Sequence, residues 1–225
     1  MYNKQGLVSI TLDEQGQFYD PNGNDTRNYR YDANGQRIGK EIDANDKNYY
    51  LDGVIVDQNN EVVSYQTTEG YVTTSNPGGT IIANYFYSIP DWLGTNRAIM
   101  DATGNVLNAN DHYPFGKRMP TRYMVTDAEG NRYQYTGHEF DEEIGYGYHG
   151  ARYYNRELGK YMNVDPLAED YFAWSSYNYT MGNPVNFTDP TGKAVEGDYY
   201  DFDGGYIGTD DKDDCLLYTS PSPRD

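Results

Sequence analysis

The sequence predicts an all-β fold, a meander of short antiparallel hairpins, and three observations predict it. A glycine turn recurs along the chain, strand-like segments lie between its copies, and the apolar inventory is dominated by tyrosine. The turn is Asp-x-x-Gly-(Asn/Gln), beginning at Asp13, Asp20, Asp32, Asp101 and Asp127, with looser copies at Asp43 and Asp57. Aspartate at the first position accepts backbone N–H bonds and glycine at the fourth tolerates positive φ, which suits a type I turn closed by a glycine bulge. The flanking segments Tyr29-Arg30-Tyr31, Asn48 to Val56, Glu61 to Tyr65, Ile81 to Tyr87 and Arg132 to Tyr135 alternate or are β-branched and aromatic, as strands are. A sheet of many short hairpins must curl, close or stack to bury an aromatic face, because one hairpin alone is marginal in water.

Hydrophobic residues make up only 37% of 225, but 26 are tyrosines, 7 phenylalanines and 2 tryptophans. Aromatic rings must therefore supply much of the core, with tyrosine hydroxyls reaching water or a partner. The chain is long enough for a core that needs no disulfide or metal. The 24 glycines and 10 prolines are scattered and punctuate turns.

Thirty-five acidic residues against 17 Lys or Arg give a formal charge of −18, which repels phosphate backbones and anionic lipid. Nucleic-acid binding is not expected. No stretch has the length of a membrane span or of a signal-peptide core, so any export signal is expected outside this segment. The single cysteine, Cys215, excludes a disulfide framework and a cysteine-ligated zinc. It opens the string CLLYTSPSPRD, which breaks with the style of the rest and looks like a translated sequencing adapter; Cys215 to Asp225 are set aside on that ground.

Asp20, Asn22 and Asn24 alternate as calcium ligands do, yet Asp25 stands where the sharp-turn glycine belongs and Tyr31 where the bidentate glutamate belongs. Polar turn tips explain them. His112, His138 and His149 have no Ser or Cys partner pattern and are expected as hydrogen-bonded structural residues. No metal site and no cofactor is expected.

Tyr31-Asp32-Ala33-Asn34-Gly35-Gln36-Arg37 resembles a YD repeat. From Tyr85 the motifs follow the order of the RHS repeat-associated core domain. Asp91-Trp92-Leu93-Gly94-Thr95-Asn96-Arg97 is similar to Asp-His-Leu-Gly-Ser-x-Arg, and Tyr113-Pro114-Phe115-Gly116 to Tyr-x-Pro-Phe-Gly. Tyr135 to Asp141 resembles Phe-Thr-Gly-Lys-Glu-x-Asp, followed by Tyr148 to Tyr154 (YHGARYY), Gly159 to Pro166, and Asn183 to Gly192. The resemblance implies YD-like hairpins over 1–84, the core domain over 85–193 as a loop-rich plug, and the start of a variable effector over 194–214. It implies part of a curved β-shell that encloses a toxin in cis, secreted or at the cell surface, with a secretion machinery or the surface as its other partner.

It also implies one chemical act, cleavage of the chain in cis. The family carries one aspartate in a first Asp-Pro and another in a final Asp-Pro-x-Gly, here Asp165 and Asp189, with the scissile bond after Lys193. Two carboxylates in a dry site share a proton, one acting as acid while the other activates water. Asp165-Pro166-Leu167-Ala168 lacks the family's glycine, and Lys193 replaces an apolar residue, so an apolar subsite would charge it a solvation cost. The blander reading is that both aspartates cap Asp-Pro turns. Trp92 replaces the family's histidine and is expected to pack. Arg152 with Tyr153 and Tyr154 reads either as a platform for flat ligands or, preferred, as a strand whose Arg spans a neighbouring ring. Asp201, Asp203, Asp210, Asp211, Asp213 and Asp214 read as a solvated acidic run. The alternative function is a carbohydrate-binding or adhesion β-repeat protein without processing.

Overall fold

In the computed structural model the described residues are 2–3, 6–7, 11–12, 17–19, 27–33, 35–42, 46–125, 131–169, 174–200 and 206–209. The turns at Asp13, Asp20, Asp43 and Asp127, the Asp20 to Asn24 ligand pattern, the acidic run from Asp201 and the string from Cys215 fall outside them in whole or in part.

β1 (Tyr2–Asn3) and β2 (Gly6–Leu7) form a small pair. Twelve strands then build one antiparallel sheet in strict chain order, every strand pairing with its sequence neighbours. They are β3 (Thr11–Leu12), β4 (Gln17–Tyr19), β5 (Arg27–Tyr31), β6 (Arg37–Glu41), β7 (Lys47–Leu51), β8 (Val54–Asp57), β9 (Val62–Thr67), β10 (Gly70–Ser75), β11 (Ile82–Pro90), β12 (Asn96–Asp101), β13 (Val106–His112) and β14 (Arg118–Val125). A second sheet of four short strands follows: β15 (Glu139–Asp141), β16 (Tyr146–Tyr148), β17 (Tyr153–Asn155) and β18 (Lys160–Tyr161). β19 (Phe187–Thr188), β20 (Glu196–Tyr200) and β21 (Tyr206–Thr209) close the order. Helix among the described residues is limited to three single 3₁₀ turns. The fold is thus nearly all β, as the turn pattern predicts.

The described Asp-x-x-Gly sites are hairpin tips. At Asp101, Oδ1 accepts the N–H of Thr103 at 2.8 Å and of Asn105 at 2.9 Å, while Gly104 adopts φ 88° and donates to the Asp101 carbonyl. Asp32, Asp57 and Asp91 repeat the arrangement, with Asn60 (φ 61°) taking the glycine position after Asp57. Two segments differ from expectation. Asn48 to Val56 is not one strand but the β7–β8 hairpin, because Asp52-Gly53 supplies a two-residue turn with both φ positive. Arg132 to Tyr135 makes only an isolated bridge, Tyr133 with Glu139, before a 3₁₀ turn at Tyr135–Gly137.

Two tyrosine clusters form much of the core. Tyr29 from the long sheet packs with Ile144, Tyr146 and Tyr153 of the small one, and Tyr135, Tyr154, Tyr161 and Tyr179 pack together behind Phe115. Their hydroxyls are placed where partners exist: Tyr29 donates to Glu143 at 2.7 Å and Tyr135 to the Pro114 carbonyl at 2.7 Å. Between the sheets lies a buried ion network. Arg37 donates to Asp141 at 2.6 Å and Glu139 at 2.5 Å, and Lys40 to Asp141 and Glu143 at 2.7 Å each. Arg37 and Lys40 are three apart and should point to opposite faces of a regular strand. They share a face because the register shifts between Arg30 and Tyr31, so that Tyr31 pairs with Arg37 and Arg30 with Gly39, leaving Ile38 as a bulge.

Candidate functional site

The four-stranded sheet and the loops behind it position the aspartates. Arg152 precedes β17 and is 3% exposed, its guanidinium lying 3.6 Å from the centroid of the Tyr161 ring. One guanidinium nitrogen meets Asp165 Oδ2 at 2.8 Å and the other meets Asp189 Oδ2 at 3.0 Å. Its Nε donates to the Gly192 carbonyl at 2.5 Å. A single buried arginine therefore ties both predicted aspartates to the segment that carries the predicted scissile bond.

Asp189 is fully buried and accepts from two further donors around that clamp. The Tyr161 hydroxyl donates to Oδ2 at 2.8 Å, and the Lys193 backbone N–H donates to Oδ1 at 3.0 Å. Burial raises the Asp189 carboxyl above the ordinary aspartate range, against the lowering effect of Tyr161 and Arg152. Asp165 also does what a turn aspartate does, accepting the Leu167 N–H at 2.8 Å. A small cavity of about 30 Å³ borders Arg152, Asp165, Ser176, Lys193 and Val195, room for one or two waters. The close approach is paid for in glycine: Gly192 has φ 70°, and a Cβ there would lie 2.3 Å from the His149 carbonyl oxygen.

Several sequence expectations change here. The carboxylates do not meet each other as a bare pair, since Arg152 stands between them. Arg152 does span a ring, as the preferred reading of YHGARYY had it, and its burial leaves no platform for a flat ligand. What the motif did not reveal is that the same arginine pairs with two aspartates distant in sequence. Lys193 is exposed, so no solvation cost falls on it in this conformation. Trp92 is 70% exposed, contrary to the packing expected of it, because Asp91 and Gly94 hold it at a hairpin tip. His112 is not the hydrogen-bonded histidine expected: both ring nitrogens are buried without a partner. No cluster of metal-ligating side chains occurs among the described residues.

An antiparallel meander docked through buried ions on a tyrosine-rich plug defines a β-shell class of protein, and relatives of that class exist. The tRNA3(Ser)-specific nuclease WapA of Bacillus spizizenii is 32% identical over 179 residues, 74% of this chain and 7% of its own. Toxin subunit YenC1 of Yersinia entomophaga is 26% identical over 193 residues, 76% of this chain and 20% of its own. Among solved structures, the crystal structure of TcdB2-TccC3-Cdc42 matches with a TM-score of 0.61 at 22% identity, covering 82% of this chain and 10% of that one. The Photorhabdus luminescens Tc holotoxin pore matches with a TM-score of 0.60 at 21% identity, covering 81% and 10%. No family model matches the chain. Salivary gland surface protein 1 of Aedes aegypti is 30% identical over 192 residues, 76% of this chain and 5% of its own. The homologues of this chain thus include RHS-type toxins and its fold is that found in Tc-toxin structures, while it spans a small part of each relative's length.

Proposed function

We propose that this chain is a wall-and-plug segment of an RHS toxin shell, with the RHS repeat-associated core domain over 85–193, and that it cuts itself after Lys193. In this reading the shell encloses a toxin that begins near Ala194, and the protein is secreted or displayed at a cell surface. The observation that carries the cleavage is the buried clamp: Arg152 holds Asp165, Asp189 and the Gly192 carbonyl together while Asp189 binds the Lys193 N–H. The relatives' toxin names support the delivery role, and the long exposed meander supports a wall.

The residues suit hydrolysis as follows. Water attacks the Lys193 carbonyl carbon while a carboxylate takes its proton; in this reading that carboxylate is Asp165, which borders the small cavity with Lys193. The bond to the Ala194 nitrogen breaks and that nitrogen gains a proton, leaving a Lys193 carboxylate and a new amine. Asp189, raised by burial, is the group suited to hold the proton delivered. Arg152 and the Tyr161 hydroxyl keep both carboxylates oriented.

A protein made from the intact gene, containing the whole shell, provides the test. Mass spectrometry should find a new N-terminus at Ala194, abolished by Asp189→Asn and by Asp165→Asn. An unmutated chain that stays uncut over days removes the cleavage and leaves the shell role. The exposed rings of Trp92, Tyr85 and Tyr87 favour a second reading, glycan binding by the sheet surface, which silence on a broad glycan array would exclude.

A further inference from the structure

Two histidines that the aspartate site does not use lie face to face beside it. His138 follows the Tyr135–Gly137 turn and His149 follows β16, their rings nearly parallel at 5° with centroids 3.7 Å apart. His138 Nε2 meets the Pro190 carbonyl at 3.1 Å, and its Nδ1 meets Thr136 Oγ1 at 2.9 Å. The Thr136 hydroxyl also lies 2.9 Å from the Tyr135 carbonyl, which only accepts, so a hydroxyl donating there offers His138 a lone pair. Both ring nitrogens then face acceptors: the single N–H of the neutral ring satisfies the Pro190 carbonyl, and one added proton on His138 would find a partner in Thr136.

A second charge has no such place. Burial holds both histidines below the ordinary range, and for His149 the neighbouring His138 and Arg152 push the same way. The remaining groups around the pair are the rings of Tyr154 and Tyr179, at 4.9 and 5.8 Å from His149, and the Tyr161 hydroxyl at 3.4 Å, with Asp189 beyond it. The anchoring turn is itself strained. Thr136 is β-branched at φ 49° and is held there by its N–H bond to Thr95 Oγ1 at 3.0 Å.

We propose that the His138–His149 stack is an acid-released latch that fastens the Asp189–Lys193 segment to the Tyr135–His138 turn. With both rings neutral, or with one added proton on the pair, no two charges face each other and His138 keeps its bond to Pro190. A second proton sets two like charges ring to ring in a dry site backed by Arg152. The stack parts, the strained turn relaxes, and the segment loses its tie to the turn. The latch works whether or not the chain is cut, so it stands apart from the self-cleavage.

Hydrogen exchange of the full chain, corrected for intrinsic rates, is compared at about pH 7.5 and about pH 4, the lower value lying below ordinary histidine titration because burial moves the pair down. Peptides spanning Thr191–Lys193 and Ala151, whose N–H binds the Thr191 carbonyl, should lose protection roughly tenfold at the lower pH while β8–β10 keep theirs. His149→Phe keeps a stacked ring that takes no proton and should hold protection at both values. His138→Gln keeps an amide donor for Pro190 and should behave alike, covering a misfolded His149→Phe. Unchanged protection in the unmutated chain, an undiminished acid response in both variants, or equal loss across β8–β10 each overturns the latch.

Discussion

Arg30 and Arg37 leave the same hairpin into opposite electrostatic worlds. Arg30 pairs with Glu41 at 2.6 Å with its side chain 52% exposed, and a pair of that kind contributes about 0.2–1 kcal/mol. Arg37 is buried between Glu139 and Asp141 and lies 4.2 Å from the Tyr148 ring centroid. Removing it takes a charged partner from two buried carboxylates, leaving Asp141 with Lys40 and Glu139 with the Tyr50 hydroxyl, and breaking a buried pair costs about 3–5 kcal/mol. Arg37→Met should therefore lower the free energy of unfolding severalfold more than Arg30→Ala, as denaturant titration would measure. His112 supplies a pH dependence. Burial, followed by Arg156 and Arg118, lowers its pKa to about 4. The unfolded chain binds a proton near pH 6.5 that the fold refuses until about 4. Stability from this residue is complete above 6.5 and declines as pH falls through that window. His112→Phe should make the fall in urea midpoint between those values shallower; an unaltered slope would refute it.

At the scale of elements, two glycines of like backbone separate turn chemistry from packing. Gly104 and Gly116 have φ 88° and 84°, so alanine is strained at both by about 1 kcal/mol. A Cβ on Gly104 meets open space, whereas one on Gly116 would sit 2.5 Å from the Tyr135 ring. Gly116→Ala should thus depress the melting temperature well beyond Gly104→Ala, and equal depressions would mean that the turn, not the ring contact, sets the cost. The hairpin tips were legible because Asp and Gly act locally. Asp52-Gly53 carried the same signal with only two residues between strands, and counting its neighbours as one strand overlooked it. Arg132 to Tyr135 misled for the opposite reason: its alternation of tyrosine with polar residues is strand-like, but Tyr135 is drawn into the core by Tyr154 and Tyr179, and the backbone turns to follow it.

Across the whole molecule, local and distant contacts divide cleanly. The meander is joined strand to next strand, whereas the contacts that dock it on the plug span the chain, Arg37 to Asp141 lying 104 residues apart. Long loops close at an entropic cost before their contacts form, so local pairings come first. Pulse-labelled hydrogen exchange during refolding should find β8–β10 protected before β15–β17; simultaneous protection would contradict that order. By itself the sequence determined the all-β class and the hairpin tips, because turns are written in neighbouring residues; the two aspartates it offered only as candidates, through ordered motifs. Only the tertiary structure decided that Arg152 joins Asp165 to Asp189, that the Ile38 bulge turns Arg37 and Lys40 to one side, and that two histidines stack behind Pro190. Each of these rests on groups brought together from distant segments or on a register that period-two alternation does not encode, and neither is a property of any short stretch of chain.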